Sequence, residues 1–128
     1  SNVGAVHAFA ETVGAWFDTP HGVANSLFLP YVMEYNIPAC PERFVDIACA
    51  MGLKREDGMT DEEYALKTVE YVKALNRKLN IPTIKGITEE NFETIAERSA
   101  NNVLSADNAR KITKEDYLNL IIKAYNDK

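Results

Sequence analysis

The sequence predicts an all-α fold, a bundle of about six helices forming a single domain over residues 1–128. Three observations lead there. Apolar residues recur at helical spacing in successive segments, short polar connections marked by glycine or proline join those segments, and no stretch alternates convincingly as a strand. With 128 residues, 46% of them hydrophobic, the chain has enough material to bury a real core.

The first helix is predicted from about Val3 to Trp16, with Gly14 weakening it near its end. Thr19 then reads as an N-cap and Pro20 as the first residue of a second helix reaching about Tyr35. That helix is apolar almost all round, as a buried helix would be, and Pro30 inside it should produce a kink. Asn36-Ile37-Pro38 ends it. Pro41 opens a short helix in which Phe44, Val45, Ala48 and Met51 share a stripe, and Gly52 caps it. Lys54 to Met59 is a polar loop.

Thr60-Asp61-Glu62-Glu63 fits a capping box, and Tyr64, Thr68, Tyr71, Leu75 and Leu79 continue at helical spacing with Ala65, Val69 and Val72 beside them. Asn80 to Ile84 is an extended connection, and Gly86 marks a turn. Thr88 caps a helix from about Glu89 to Asn101, with acidic residues where the helix dipole favours them. A loop then runs to Lys111. Thr113 caps the last helix, which should bury Tyr117, Leu120, Ile121 and Ala124.

Composition excludes several functions. A net charge of −5 with no sustained stripe of Lys and Arg disfavours nucleic acid as a partner. No apolar run reaches the roughly 18 to 20 residues of a membrane span, and the N-terminus lacks the features of a signal peptide, so the expected location is the cytoplasm. The spacing of Cys40 and Cys49 matches no zinc motif, and two cysteines make no disulfide framework. Cys49 is read as a small core residue and Cys40 as a loop thiol. Neither a glycine-rich phosphate loop nor a GxSxG elbow occurs, and the acidic clusters at 61–63 and 89–90 are read as helix caps and solvated faces. The opening Ser1-Asn2-Val3 lacks an initiating methionine and resembles a scar of tag removal, which makes a piece of a larger protein the expectation.

The residues that carry chemistry lie near the N-terminus. His7 and His21 are the only histidines, and Glu11 follows His7 by one helical turn. One straight helix would hold the two imidazoles about 21 Å apart, so the chain must turn between them for both to reach one ion. Two imidazoles and a carboxylate suit iron or zinc, but two imidazoles alone do not complete such a site. Either Glu11 is the third ligand or the remaining ligands lie outside this chain.

The run Gly4-Ala5-Val6-His7-Ala8-Phe9-Ala10-Glu11-Thr12-Val13-Gly14-Ala15, then Thr19-Pro20-His21-Gly22-Val23-Ala24-Asn25, resembles the C-terminal metal-binding domain of the iron-containing, group III alcohol dehydrogenases. Leu29-Pro30, Tyr35-Asn36, Ile81-Pro82, Asn108-Ala109-Arg110 and Thr113 to Asp116 continue the resemblance along essentially the whole chain. It implies the C-terminal part of a dehydroquinate synthase-like α-domain. It further implies that His7 and His21 are two of four ligands to a divalent metal, usually iron and sometimes zinc. The other two ligands, and the NAD(P)-binding α/β domain, would precede this chain.

At position 11 the family more often carries a histidine near the nicotinamide, and Glu11 stands there as the candidate catalytic residue for proton relay. A purely structural role for Glu11 is equally open. The resemblance thus implies the C-terminal portion of an enzyme interconverting small primary alcohols and aldehydes, inactive when isolated. The alternatives are a non-catalytic helical module for assembly or partner binding, or a self-contained site of His7, Glu11 and His21 completed across a homodimer. Truncation should also expose apolar surface and favour a homo-oligomer.

Overall fold

The computed structural model describes residues 10–12, 21–80, 89–102, 105, 106, 108 and 110–126, the side chains of 21–23 excepted. Five α-helices span much of this range: α1 His21–Asn36, α2 Pro41–Ala50, α3 Asp61–Lys78, α4 Glu89–Asn101 and α5 Lys114–Asn126. A 3-10 turn, Ile37–Ala39, joins α1 to α2, residues 10–12 are also helical, and no strand occurs among the described residues. The all-α expectation therefore holds. The predicted caps at Thr19 and Thr88 lie outside the described residues.

The helix ends follow from local chemistry. Thr60 Oγ1 accepts from the Glu63 backbone N–H at 3.1 Å while Glu63 Oε1 accepts from the Thr60 N–H at 2.9 Å, the reciprocal pair of a capping box. Thr113 and Asp116 repeat the arrangement on α5 at 2.9 and 3.3 Å. At the end of α2 the Leu53 N–H reaches back to Ala48 O and the Gly52 N–H to Cys49 O, a Schellman ending that places Gly52 at φ +77°.

Helix α1 runs unbroken through Pro30. A proline at 30 leaves the carbonyl of residue 26, four positions earlier, without its intrahelical donor. Asn76 on α3 supplies one, its Nδ2 donating to Ser26 O at 2.7 Å. The defect that proline introduces in α1 is thus what fastens α3 against it.

Two buried clusters make up the core, and α1 contributes to both. Ala24, Phe28, Tyr31 and Val32 join Phe92, Ile95, Tyr117 and Ile121 of the α4–α5 pair. Met33 and Ile37 instead join Phe44 of α2 and Ala65 and Val69 of α3, with Leu29 packed against both groups. Helices α2 and α3 form one hairpin-like pair, α4 and α5 another, and α1 packs on α3 and α5.

The far end of α1 is tied to the last helix by polar groups. The single proton of the Tyr35 hydroxyl is shared between Lys111 O and Asp116 Oδ2, while Arg110 lies over the Tyr35 ring at 4.3 Å and donates to Tyr35 O. Asn36 and Asn108 exchange amide hydrogen bonds at 2.8 and 3.1 Å. Burial, reinforced by Asp116, pushes the Tyr35 phenol up to about 12. For Asp116, burial acts upward but is outweighed by hydrogen bonds from Thr113 and Tyr35 and by Arg110, so its carboxyl sits below the ordinary range.

Some expectations about the core are corrected. Cys49 is exposed rather than buried, because only Phe44 and Ala48 of α2 are turned fully inward and residue 49 lies about 100° further round the helix. Met51 keeps the register of Phe44 but stands at the C-cap, past the last helical residue Ala50, and is exposed there. On α3, Tyr64, Ala65, Thr68 and Val69 are buried, but Tyr71 and Leu75 are 46% and 41% exposed, and Leu79 at the C-cap is 59% exposed. The 18-residue α3 is longer than the 10-residue α2 it pairs with, so its last turns outrun that partner.

Candidate metal centre

His21 is the first residue of α1, and no acidic residue occupies that helix's first turn. The side chain of His21 and all of His7 lie outside the described residues, as does the predicted turn between them.

Residues 10–12 place Glu11 between two inward-facing neighbours. Ala10 is fully buried and Thr12 nearly so, whereas Glu11 is exposed. Ala10 shares its buried cluster with Ala24 and Phe28, so the helical segment carrying Glu11 and the first turns of α1 serve the same core. In this arrangement Glu11 offers a solvent-accessible carboxylate. No group of three potential metal donors occurs among the described residues.

Sequence reasoning passed over one polar residue here. Asn25 lies one helical turn after His21, and its Oδ1 is buried without a hydrogen-bond donor among the described residues. The available signal was spacing alone, a carboxamide four positions beyond a histidine on a helix that is otherwise strongly apolar.

Elsewhere the described surface offers no competing metal site. A depression of about 440 Å³ lies beyond the end of α4, lined among the described residues by polar Asn102, Ser105, Asn108 and Lys111, with neither carboxylate nor imidazole among them. Its neighbour Tyr117 is buried, and its hydroxyl lies 2.5 Å from Ser105 Oγ. Because Ser105 spends its one proton on Ser99 O, Tyr117 is the donor of that pair. These contacts attach the loop to α5.

Fold and donor types together define a helical domain with candidate metal-binding residues at the start of its bundle. The chain belongs to the Fe-containing alcohol dehydrogenase family, matching its C-terminal part over residues 1–125. Lactaldehyde reductase of Escherichia coli K12 is 42% identical over 130 residues, covering 98% of this chain and 34% of that protein. The 1,3-propanediol dehydrogenase of Citrobacter freundii is 34% identical over 98% of this chain and 33% of its own length. An alcohol dehydrogenase structure from Oenococcus oeni superposes with a TM-score of 0.87 at 39% identity, covering 98% of this chain and 33% of that one. The chain thus spans about a third of the length of the relatives it matches.

Proposed function

We propose that this chain is the C-terminal portion of a metal-dependent, NAD(P)-linked alcohol dehydrogenase that interconverts small primary alcohols and aldehydes. The observation that carries the reading is the match to alcohol and aldehyde oxidoreductases across 98% of the chain, including the segment that holds both histidines. Residues 1–128 form its helical domain, and the nucleotide-binding domain and the remaining metal ligands belong to the portion of the relatives that this chain does not cover. A homo-oligomer in the cytoplasm completes the reading.

The donor set fits a divalent iron or zinc ion as half of a site. His7 and His21 would hold it through neutral imidazole nitrogens. His21 would do so from the first residue of α1. When bound, the ion would supply Lewis acidity toward an alcohol oxygen, and a nicotinamide held by the uncovered portion would supply the hydride-transfer chemistry. Glu11, with its carboxylate exposed, accepts the proton released in alcohol oxidation and passes it to solvent.

A hybrid enzyme tests this reading: residues 1–128 joined to the preceding two-thirds of the E. coli lactaldehyde reductase. With ferrous ion and nicotinamide cofactor it should oxidise a primary alcohol, and His7→Ala or His21→Ala should abolish both stoichiometric metal and activity. A folded, cofactor-binding hybrid with no activity would refute the proposal. It would instead favour a non-catalytic assembly module, a reading to which the exposed Tyr71, Leu75 and Leu79 on α3 lend support.

A further inference from the structure

Two of the apolar surfaces among the described residues carry opposite charge. The first is the end of α3, where Tyr71, Leu75 and Leu79 recur every four residues and are all exposed. It lies past the reach of α2, and exposed Arg77 and Lys78 of the last turn stand beside it. The second is a groove of about 330 Å³ between α4 and α5. Among the described residues Phe92, Leu118, Ile122 and Asn126 line it, and Glu89 and Glu93 bring carboxylates to its α4 side. Tyr125 packs edge-on against Phe92, ring centroids 5.1 Å apart, and is itself exposed. Glu93 is held by Lys114 at 3.1 Å, so Glu89 and exposed Glu90, both in the first turn of α4, set the sign at that end.

A single exposed leucine needs no explanation, but a row of three large apolar side chains does. The row and the groove also match in length, since Tyr71 to Leu79 and Leu118 to Asn126 each advance eight residues, about 12 Å of helix. Charge decides what each can face. Two α3 rows packed on each other would gather four cations, Arg77 and Lys78 of each copy, around one seam, and two grooves would gather Glu89 and Glu90 in the same way. A row against a groove pairs opposite signs. We propose that the end of α3 in one copy of this chain docks in the α4–α5 groove of a second copy, with Leu75 and Leu79 against Phe92 and Ile122 and with Arg77 and Lys78 toward Glu89 and Glu90. That direction also sets the negative end of the α3 dipole beside the positive end of α4. The two surfaces lie on different helix pairs, so each copy can use both at once. The contact is heterologous, and it propagates into chains or rings instead of stopping at a closed dimer. The inference rests on the homo-oligomer of the proposed reading and on none of its metal chemistry.

The test is sedimentation velocity of the 128-residue chain from micromolar to millimolar concentration, at low and at high salt. The mean mass should keep rising past that of a dimer and fall back as salt screens the charges. Two double variants change only exposed residues, Arg77→Glu with Lys78→Glu and Glu89→Lys with Glu90→Lys, and circular dichroism checks that each folds. Each alone should associate at least about tenfold more weakly. Mixed in equal amounts they should regain the native association, because every row then finds a groove of opposite charge. Leu75→Gln, which leaves the charges alone, should weaken association at every salt concentration. A monomer throughout would overturn the proposal and leave both surfaces to the part of the relatives that this chain does not cover. A salt-insensitive dimer, the product of two α3 rows pairing with each other, would overturn it as well, as would folded variants that do not recover on mixing. None of these results bears on His7 and His21, whose metal role the hybrid enzyme decides.

Discussion

Removing the Asn76 carboxamide should cost far more when Pro30 is present than when it is absent. In the native chain Pro30 cannot donate to Ser26 O, and Asn76 Nδ2 does so at 2.7 Å. Ser26 and Asn76 are both half-buried, so water can partly replace the lost donor in Asn76→Ala. The cost is then about 1 to 1.5 kcal/mol, the ordinary net value of a hydrogen bond, rather than the larger penalty of a fully orphaned carbonyl. In a Pro30→Ala background residue 30 regains an N–H aimed at Ser26 O, and the same Asn76→Ala change should cost about 0.5 kcal/mol or less. Pro30→Ala by itself is uninformative, since it also removes a buried ring and loosens the unfolded chain. The difference between backgrounds isolates the effect, a coupling of about 1 kcal/mol read from urea unfolding of the four proteins with a shared m value. Equal costs in both backgrounds would refute the claim that Asn76 substitutes for the missing helix bond.

Gly52→Ala should destabilise the chain by about 1 to 2 kcal/mol, a cost of the backbone alone. Its φ is +77°, and a Cβ there would meet nothing within 4 Å. Thermal unfolding would measure it, and Gly52→Asn should cost less than Gly52→Ala. Tyr35 makes stability sensitive to alkali. Its folded phenol lies near 12 against an ordinary 10.0, so its contribution is whole below about pH 10 and is lost as pH rises toward 12. Tyr35→Phe should flatten that part of a pH–stability profile. Ser105→Ala should cost more than Tyr117→Phe in chemical denaturation, because it leaves the buried Tyr117 hydroxyl without its acceptor, whereas Tyr117→Phe leaves Ser105 Oγ bonded to Ser99 O, about 2 kcal/mol against about 1. In the hybrid enzyme, Glu11→Gln should lower turnover at least tenfold while leaving bound iron stoichiometric, a result that separates proton transfer from ligation.

The parts of the fold governed by neighbours in sequence were legible. Thr60 and Glu63 announce their capping box three residues apart, and Gly52 announces the end of α2. Long-range partners were not. Pro30 tells a reader that Ser26 O needs a donor, but nothing local says that Asn76, fifty residues on, will provide it. Tyr35 and Asn36 read as a helix terminus and prove to be anchors for residues 108–116. Periodicity placed Tyr71, Leu75 and Leu79 on one stripe correctly, yet it carries no information about where the opposing helix stops. The candidate metal centre was legible as donor types and spacing, and Asn25 was not, because its interest lies in a missing partner that only three-dimensional burial reveals.

Because α1 supplies side chains to both clusters, it also sets the order in which the domain can assemble. The α2–α3 and α4–α5 pairs join segments close in sequence, and such pairs close quickly. Neither can complete its apolar cluster until α1 docks, and α1 must reach across more than seventy residues to meet Asn108 and Asp116. Docking of α1 is therefore the slow, committing event. Its central amides, around Phe28 to Val32, should exchange with solvent only when the whole domain opens, whereas the ends of α3 and α5 exchange through local fraying. The helix that begins with His21 is thus bound into both halves of the domain, and its central turns stay packed through any fluctuation that opens only one of them.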